Sequence, residues 1–179
     1  MLKKILLAIA GVLAVAIVGV LVVASTKPDV FRIQRSASIA APPEKIFPLI
    51  NDFRAFGSWS PYETLDPAMK RSYTGAAAGK GAVYAWESDG QAGIGRMEIT
   101  ESTLPSRIQL NLDFTKPFEA HNIVEFTLEP RGGATIVTWA MHGPTPFLGK
   151  VMHVFIDVDR MVGADFETGL ANLKTLAER

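Results

Sequence analysis

The chain contains no cysteine. That absence removes disulfide staples, thiolate metal sites and cysteine nucleophiles from consideration. There is no surplus of charge either: 18 basic side chains stand against 18 acidic ones, so no global field draws in nucleic acid or an acidic partner. Histidine is scarce. His121, His142 and His153 are scattered, and no His-x-x-x-His or Glu-x-x-His pair occurs at ligand spacing, so neither a metal nor a cofactor is expected. Ser58 and Ser60 lack the Gly-x-Ser-x-Gly surroundings of a nucleophile elbow. Gly90, Gly93 and Gly95 lack the lysine and the strand–loop–helix context of a phosphate loop. The acid pairs Asp157/Asp159 and Glu98/Glu101 fall on different faces of a helix or strand. No internal repeat or low-complexity tract is present, and no catalytic residue follows from any motif.

What the chain does have is apolar. Hydrophobic residues make up 48% of 179 positions, enough for one cored domain plus an appendage. The appendage is residues 5–24, which follow Lys3 and Lys4 and carry no charged side chain. Twenty helical residues span about 30 Å, the hydrocarbon thickness of a bilayer. A cleaved secretory signal is the rival reading, but signal cores run to about 7–15 residues. Residues 1–26 are therefore read as a single-pass membrane anchor and 27–179 as the domain. Lys3, Lys4 and the amino terminus favour a cytoplasmic N-terminus and an extracytoplasmic domain, although Lys27, Arg32 and Arg35 reduce the asymmetry.

Beyond a short linker, alternation of apolar and polar residues predicts strands at about 30–40, 69–74, 82–87, 94–102, 108–114, 122–129 and 134–142, separated by Gly, Pro, Asp and Ser turns. Residues 43–53 predict a short helix, with proline in its first turn and Glu44 near its positive end. From 144 to 179 the apolar residues Val151, Phe155, Val158, Val162, Phe166, Leu170, Leu173 and Ala177 recur at steps of three or four, predicting one long amphipathic helix. Strands in a run with helices kept to the ends indicate α+β, a sheet wrapped around that helix.

The segment Ala41-Pro42-Pro43-Glu44-Lys45-Ile46-Phe47 follows the strand ending Ser36-Ala37-Ser38-Ile39. Asn51-Asp52-Phe53 and Trp59-Ser60-Pro61 come next, and Glu125-Phe126-Thr127-Leu128 and Thr135-Ile136-Val137-Thr138-Trp139 precede the last helix. This pattern resembles the START-like (SRPBCC) superfamily, which includes polyketide cyclase and dehydrase-like proteins, lipid-transfer START domains and the birch-pollen-allergen fold. The resemblance covers about residues 30–178. It implies a helix-grip fold, a curved antiparallel sheet gripping the C-terminal helix, with an apolar cavity between them. It does not settle function, because the fold hosts carriers, cyclases and chaperone activators.

The candidate ligand-binding residues are those expected on inward faces: Trp59, Tyr84, Trp86, Met97, Phe114, Phe126, Trp139 and Met141 from the sheet side, and Phe155, Met161 and Phe166 from the helix. Bulky rings leave voids and methionine adapts to irregular ligands. Asn122 shares parity with Val124, Phe126 and Leu128, and an amide on an apolar face needs a partner. His121, at a strand mouth, is a further candidate. Residues 147–156 are apolar on nearly all sides and suit core, a lid, a dimer contact or a membrane-resting patch. The expected function is membrane-anchored binding or transport of a lipid or other hydrophobic small molecule. A polyketide cyclase/dehydrase-like enzyme using Tyr, His or Asn, and a protein-interaction module, are the alternatives. Nothing in the pattern specifies an oligomeric state.

Overall fold

Alternation between residues 30 and 144 becomes a seven-stranded sheet in the computed structural model, which describes residues 1–179 apart from the side chain of Ala8. The strands are β1 (Val30–Ile39), β2 (Lys70–Gly75), β3 (Ala82–Glu87), β4 (Ile94–Thr103), β5 (Arg107–Lys116), β6 (Ala120–Arg131) and β7 (Ala134–Pro144). Their order across the sheet is β1-β7-β6-β5-β4-β3-β2. From β2 onward each strand pairs antiparallel with the next in sequence, as hairpin connections dictate. The β6–β7 turn carries Gly132 and Gly133 at φ of 59° and 85°. Two consecutive positive φ values suit a tight hairpin whose twist matches the flanking strands.

The register places large side chains in rows on the inner face. Phe126 lies opposite Trp139 and Val124 opposite Met141. Leu110 faces Val124, Met97 faces Leu112, and Tyr84 faces Met97. Gly95 faces Trp86, and the indole of Trp86 fills the space a β-carbon at 95 would need. A bare position there lets one large ring lie flat across two strands.

The chain divides into two compact units. The larger holds Arg32–Gly143 and Asp159–Arg179. In it, helix α2 (Pro43–Asn51) buries Ile46, Phe47 and Ile50. Pro48 lies inside α2 without breaking it, since in a nine-residue helix it removes only one backbone bond. A short α3 (Phe53–Phe56) follows, its first turn capped by the Asp52 carboxylate, which accepts from Arg54 N at 2.8 Å. A 3₁₀ turn, Pro61–Thr64, comes next.

The expected single C-terminal helix is two. Helix α4 (Phe147–Phe155) stops at Ile156, whose backbone is extended at φ −121° and ψ 125°. Helix α5 runs Val158–Ala177, with an aspartate, a residue type favoured just before a helix, standing at 157. The stripe that suggested continuity changes character at the break: α5 buries Gly163, Phe166, Gly169, Leu170, Leu173 and Ala177, whereas the one buried residue of α4 is Lys150. Across the larger unit, Phe166 stacks on Trp139 with centroids 4.1 Å apart and planes 9° apart. Arg35 bonds to Asp159 and Glu167 at 3.0 and 2.9 Å, fixing the α5 surface to β1.

The smaller unit comprises Met1–Phe31 and Pro144–Val158. Its α1 (Leu2–Ser25) is long and apolar enough to cross a membrane. Helix α4 packs on α1 within this unit. Asp29 joins them to one another: its carboxylate pairs with Lys150 Nζ at 2.5 Å and its carbonyl accepts from Thr145 N at 2.7 Å. Phe147, Leu148, Met152, Phe155 and Ile156 of this segment remain exposed.

Candidate functional site: an apolar cavity under the C-terminal helix

Within the larger unit, a cavity of about 330 Å³ opens between the inner face of the sheet, the 3₁₀ turn and the start of α5. Strands β3 to β7 supply Tyr84, Trp86, Met97, Phe114, Phe126, Trp139 and Met141, and α5 supplies Met161 and Phe166. All nine are among the candidates named from sequence. Leu110, Leu112 and Val124 complete the sheet wall, and Phe56 and Met69 close its flank. Rings run along the wall: Tyr84 to Trp86 at 5.7 Å, Trp86 to Phe114 at 5.5 Å, and Phe126 to Trp139 at 5.1 Å. Rigid rings meeting edge-on and stacked cannot all collapse into one another, which keeps the space open.

Three candidates lie elsewhere. Trp59 is 1% exposed and sits behind the wall, edge-on to Trp139 at 5.5 Å, its indole N–H donating to Leu49 O at 2.8 Å. It supports the cavity rather than facing it. Asn122 is inward and buried, but its amide occupies the space left by the missing side chain of Gly143. Strand parity predicted its direction and could not register that neighbour. Phe155 belongs to α4 and is 70% exposed in the smaller unit, because the helix breaks one residue later. His121 is a surface residue, with Nδ1 2.8 Å from Asp113 and Nε2 3.4 Å from Glu119. Those carboxylates push its pKa up.

Polar groups enter the cavity wall from Ser60, Tyr62, Glu63, Gln91 and Asp165. Glu63 is fully engaged: it accepts from Tyr84 OH at 2.6 Å and from Arg71 Nε at 2.7 Å. Burial, first, and the Glu63 bond push the Tyr84 hydroxyl well above the ordinary tyrosine range. Tyr62 is pushed up by burial and by Asp165, its hydrogen-bond partner. Two atoms have nothing to bond: Ser60 Oγ and Trp139 Nε1 are buried without a partner. Trp86 Nε1, by contrast, donates to Ala92 O at 2.9 Å.

Sequence reasoning passed over Ser60, Glu63 and Asp165. For Asp165 a signal existed, since it stands four residues after Met161 and shares its helix face. Ser60 carries no comparable signal, because only the fold turns its hydroxyl inward. Among the described residues no group of three or more His, Asp or Glu is placed to hold a metal. A second depression of about 200 Å³, bounded by Phe53, Arg54, Tyr73 and β2–β3 backbone, offers little apolar surface.

Comparison with known proteins agrees with this architecture. The family described as polyketide cyclase / dehydrase and lipid transport matches residues 30–178. No curated protein sequence matches the chain significantly. Protein MLL2253 from Mesorhizobium loti is similar in structure at a TM-score of 0.61 and 17% identity, covering 83% of this chain and 98% of its own. The Aha1 dimer from Colwellia psychrerythraea gives 0.58 and 17%, with 83% and 96% covered. Ara h 8.0201 gives 0.57 and 13%, with 83% and 97% covered. At these identities the likeness concerns the fold, a START-like sheet around a C-terminal helix.

Proposed function

The chain belongs to the polyketide cyclase / dehydrase and lipid transport family, and on that premise we propose that it binds a hydrophobic small molecule in the cavity while α1 anchors it in a membrane. The cavity carries this reading. Packed interiors hold few voids larger than a water molecule, yet this one measures about 330 Å³ within walls of aromatic, methionine and leucine side chains. Water standing in that space finds few partners on its mostly apolar walls. An apolar ligand restores the dispersion contacts that empty space forfeits. The volume lies in the lower part of the range typical of small-molecule sites, about 300–1,000 Å³, which suits a compact molecule better than a two-chain lipid.

The membrane part of the reading rests on α1, whose 24 residues would extend about 36 Å, enough to cross a bilayer core of about 30 Å. Helix α4, packed on α1 with apolar side chains exposed, would lie in the headgroup region beside it. A binder held there draws hydrophobic cargo from a nearby reservoir.

Native mass spectrometry of the intact chain released from micelles tests the binding. We expect a low-mass apolar adduct, lost when the cavity is filled by Leu112→Trp. A wild-type chain without adduct, and unable to acquire one from a membrane lipid extract, would end the proposal.

A cyclase- or dehydrase-type reaction is the second reading, and one observation favours it. Tyr84, Glu63 and Arg71 form a continuous hydrogen-bonded chain whose Tyr84 and Glu63 line the cavity. In that reading the Tyr84 oxygen, whose own proton is held by Glu63, accepts from a substrate hydroxyl and positions it. Tyr84→Phe then removes turnover of a candidate substrate while leaving its binding intact, whereas in a pure binder it changes affinity alone.

A further inference from the structure

We infer that the cavity selects uncharged ligands carrying a hydrogen-bond-accepting oxygen, such as hydrophobic ketones and ethers, and discriminates against carboxylate lipids. The inference rests on the proposed binding function and deepens it.

The donor set comes first. Trp139 is 3% exposed and Ser60 is 4% exposed; both line the cavity, and neither Trp139 Nε1 nor Ser60 Oγ has a partner. A buried polar group without a partner costs more than a made hydrogen bond returns on average. An indole N–H is donor only, so what satisfies Trp139 must be an acceptor. Ser60 donates to the same kind of atom or accepts from a hydroxyl. The other two indoles already have carbonyl partners, Leu49 O for Trp59 and Ala92 O for Trp86. Trp139 is thus the one indole of the three whose N–H has no partner.

Charge sets the second half. Among the lining residues there is no Lys, Arg or His, while Glu63 and Asp165 are both present. Arg71, the cation paired with Glu63, is committed to it through the Glu63 carboxylate and through the Glu63 carbonyl at 3.0 Å. A ligand carboxylate entering here loses its water, meets two carboxylates and finds no lining cation, which is unfavourable. A neutral oxygen avoids that cost. Phe166 and Phe126 flank the Trp139 ring at 4.1 and 5.1 Å, so a ligand bound through this donor has flat apolar surfaces beside it.

Three matched probes test the inference on the intact chain in micelles: 2-acetonaphthone, 2-ethylnaphthalene and 2-naphthoate. Each is titrated while the three tryptophan indole N–H signals are followed by proton–nitrogen NMR. The ketone is expected to move the Trp139 signal downfield and to bind about tenfold tighter than the hydrocarbon, the equivalent of one net hydrogen bond of about 1.4 kcal/mol. The Trp59 and Trp86 signals keep their bonded positions, and the naphthoate binds at least about tenfold more weakly than the ketone. Ser60→Ala and Trp139→Phe should each shrink the ratio of ketone to hydrocarbon affinity taken within the same variant, any saturable binding of 2-ethylnaphthalene reporting that the variant cavity is still formed. Equal affinity for ketone and hydrocarbon would mean that a retained water satisfies the two atoms, which overturns the inference and leaves hydrophobic binding intact. Naphthoate binding as tightly as the ketone overturns it equally. Failure of all three probes would sink the binding function itself.

Discussion

Trp139 is held on three sides by rings, Phe166 stacked at 4.1 Å, Phe126 tilted at 5.1 Å and Trp59 edge-on at 5.5 Å. Its fit also depends on Gly169 of α5: a β-carbon built there would lie 2.7 Å from Trp139 Cζ3 and 3.1 Å from Pro61 Cδ. Alanine is intrinsically the better helix former by about 1 kcal/mol, but overpacking a fixed ring costs about 1–3 kcal/mol. The steric cost wins, because the clashing atom belongs to an indole wedged among rings. Gly169→Ala should lower stability by up to about 2 kcal/mol in urea denaturation, against the sign that helix propensity alone demands. The tyrosines give a second expectation at this scale. Tyr62, Tyr73 and Tyr84 are all raised from the ordinary value of 10.0, each chiefly by burial. Folded-state values above the unfolded one mean that the tyrosines' contribution is fully present below pH ~10 and lost as pH climbs further. Absorbance at 295 nm should show Tyr62 and Tyr84 ionising only with alkaline unfolding; a folded-state transition near pH ~10 with the amplitude of all three tyrosines would contradict these environments.

At the scale of elements, period-two alternation marks strands that bury one face, as β4 to β7 do, whereas no residue of β2 is buried. The spacing of Phe166, Leu170, Leu173 and Ala177 marked α5 for the same reason. The break at Ile156 was not legible. Val151, Phe155 and Val158 continue the helical period by residue type, and only the partition of the chain into two units reveals that α4 and α5 pack on different elements. Asn122 and Ser60 mark the same limit. Parity gives the direction of a side chain, but Gly143 and the 3₁₀ turn decide what each one meets. Helix α4 carries its own expectation. Lys150 is buried, with 11% of its side chain exposed, and Asp29 is its partner. The lysine hydrogen bond, first, and its charge hold the Asp29 carboxyl below the ordinary value of 3.8. A depressed folded pKa means the pair stabilises above the unfolded value and is lost as pH falls through the lowered one. Asp29→Asn should therefore speed amide hydrogen exchange across Phe147–Phe155 at neutral pH. The difference from wild type should vanish in strong acid, where the wild-type Asp29 carboxyl is protonated and as uncharged as the asparagine. Equal exchange in the two proteins at neutral pH would remove the pair's role.

For the whole molecule, the chain carries both an apolar helix long enough to span a bilayer and a START-like domain with a cavity of about 330 Å³. The central claim is that this space is a binding site for a hydrophobic molecule, and the chain's methionines supply an internal test. Six are present. Met69, Met97, Met141 and Met161 line the cavity, whereas Met152, in α4, and Met1 lie in the smaller unit. The intact chain, carrying carbon-13 in its methionine methyl groups, is titrated with 2-acetonaphthone or 2-ethylnaphthalene in micelles. The account predicts saturable shifts at the four cavity methyls, with Met1 and Met152 unmoved once probe dissolved in the micelle is subtracted. Shifts confined to Met1 and Met152, or equal and non-saturating at all six, would contradict it.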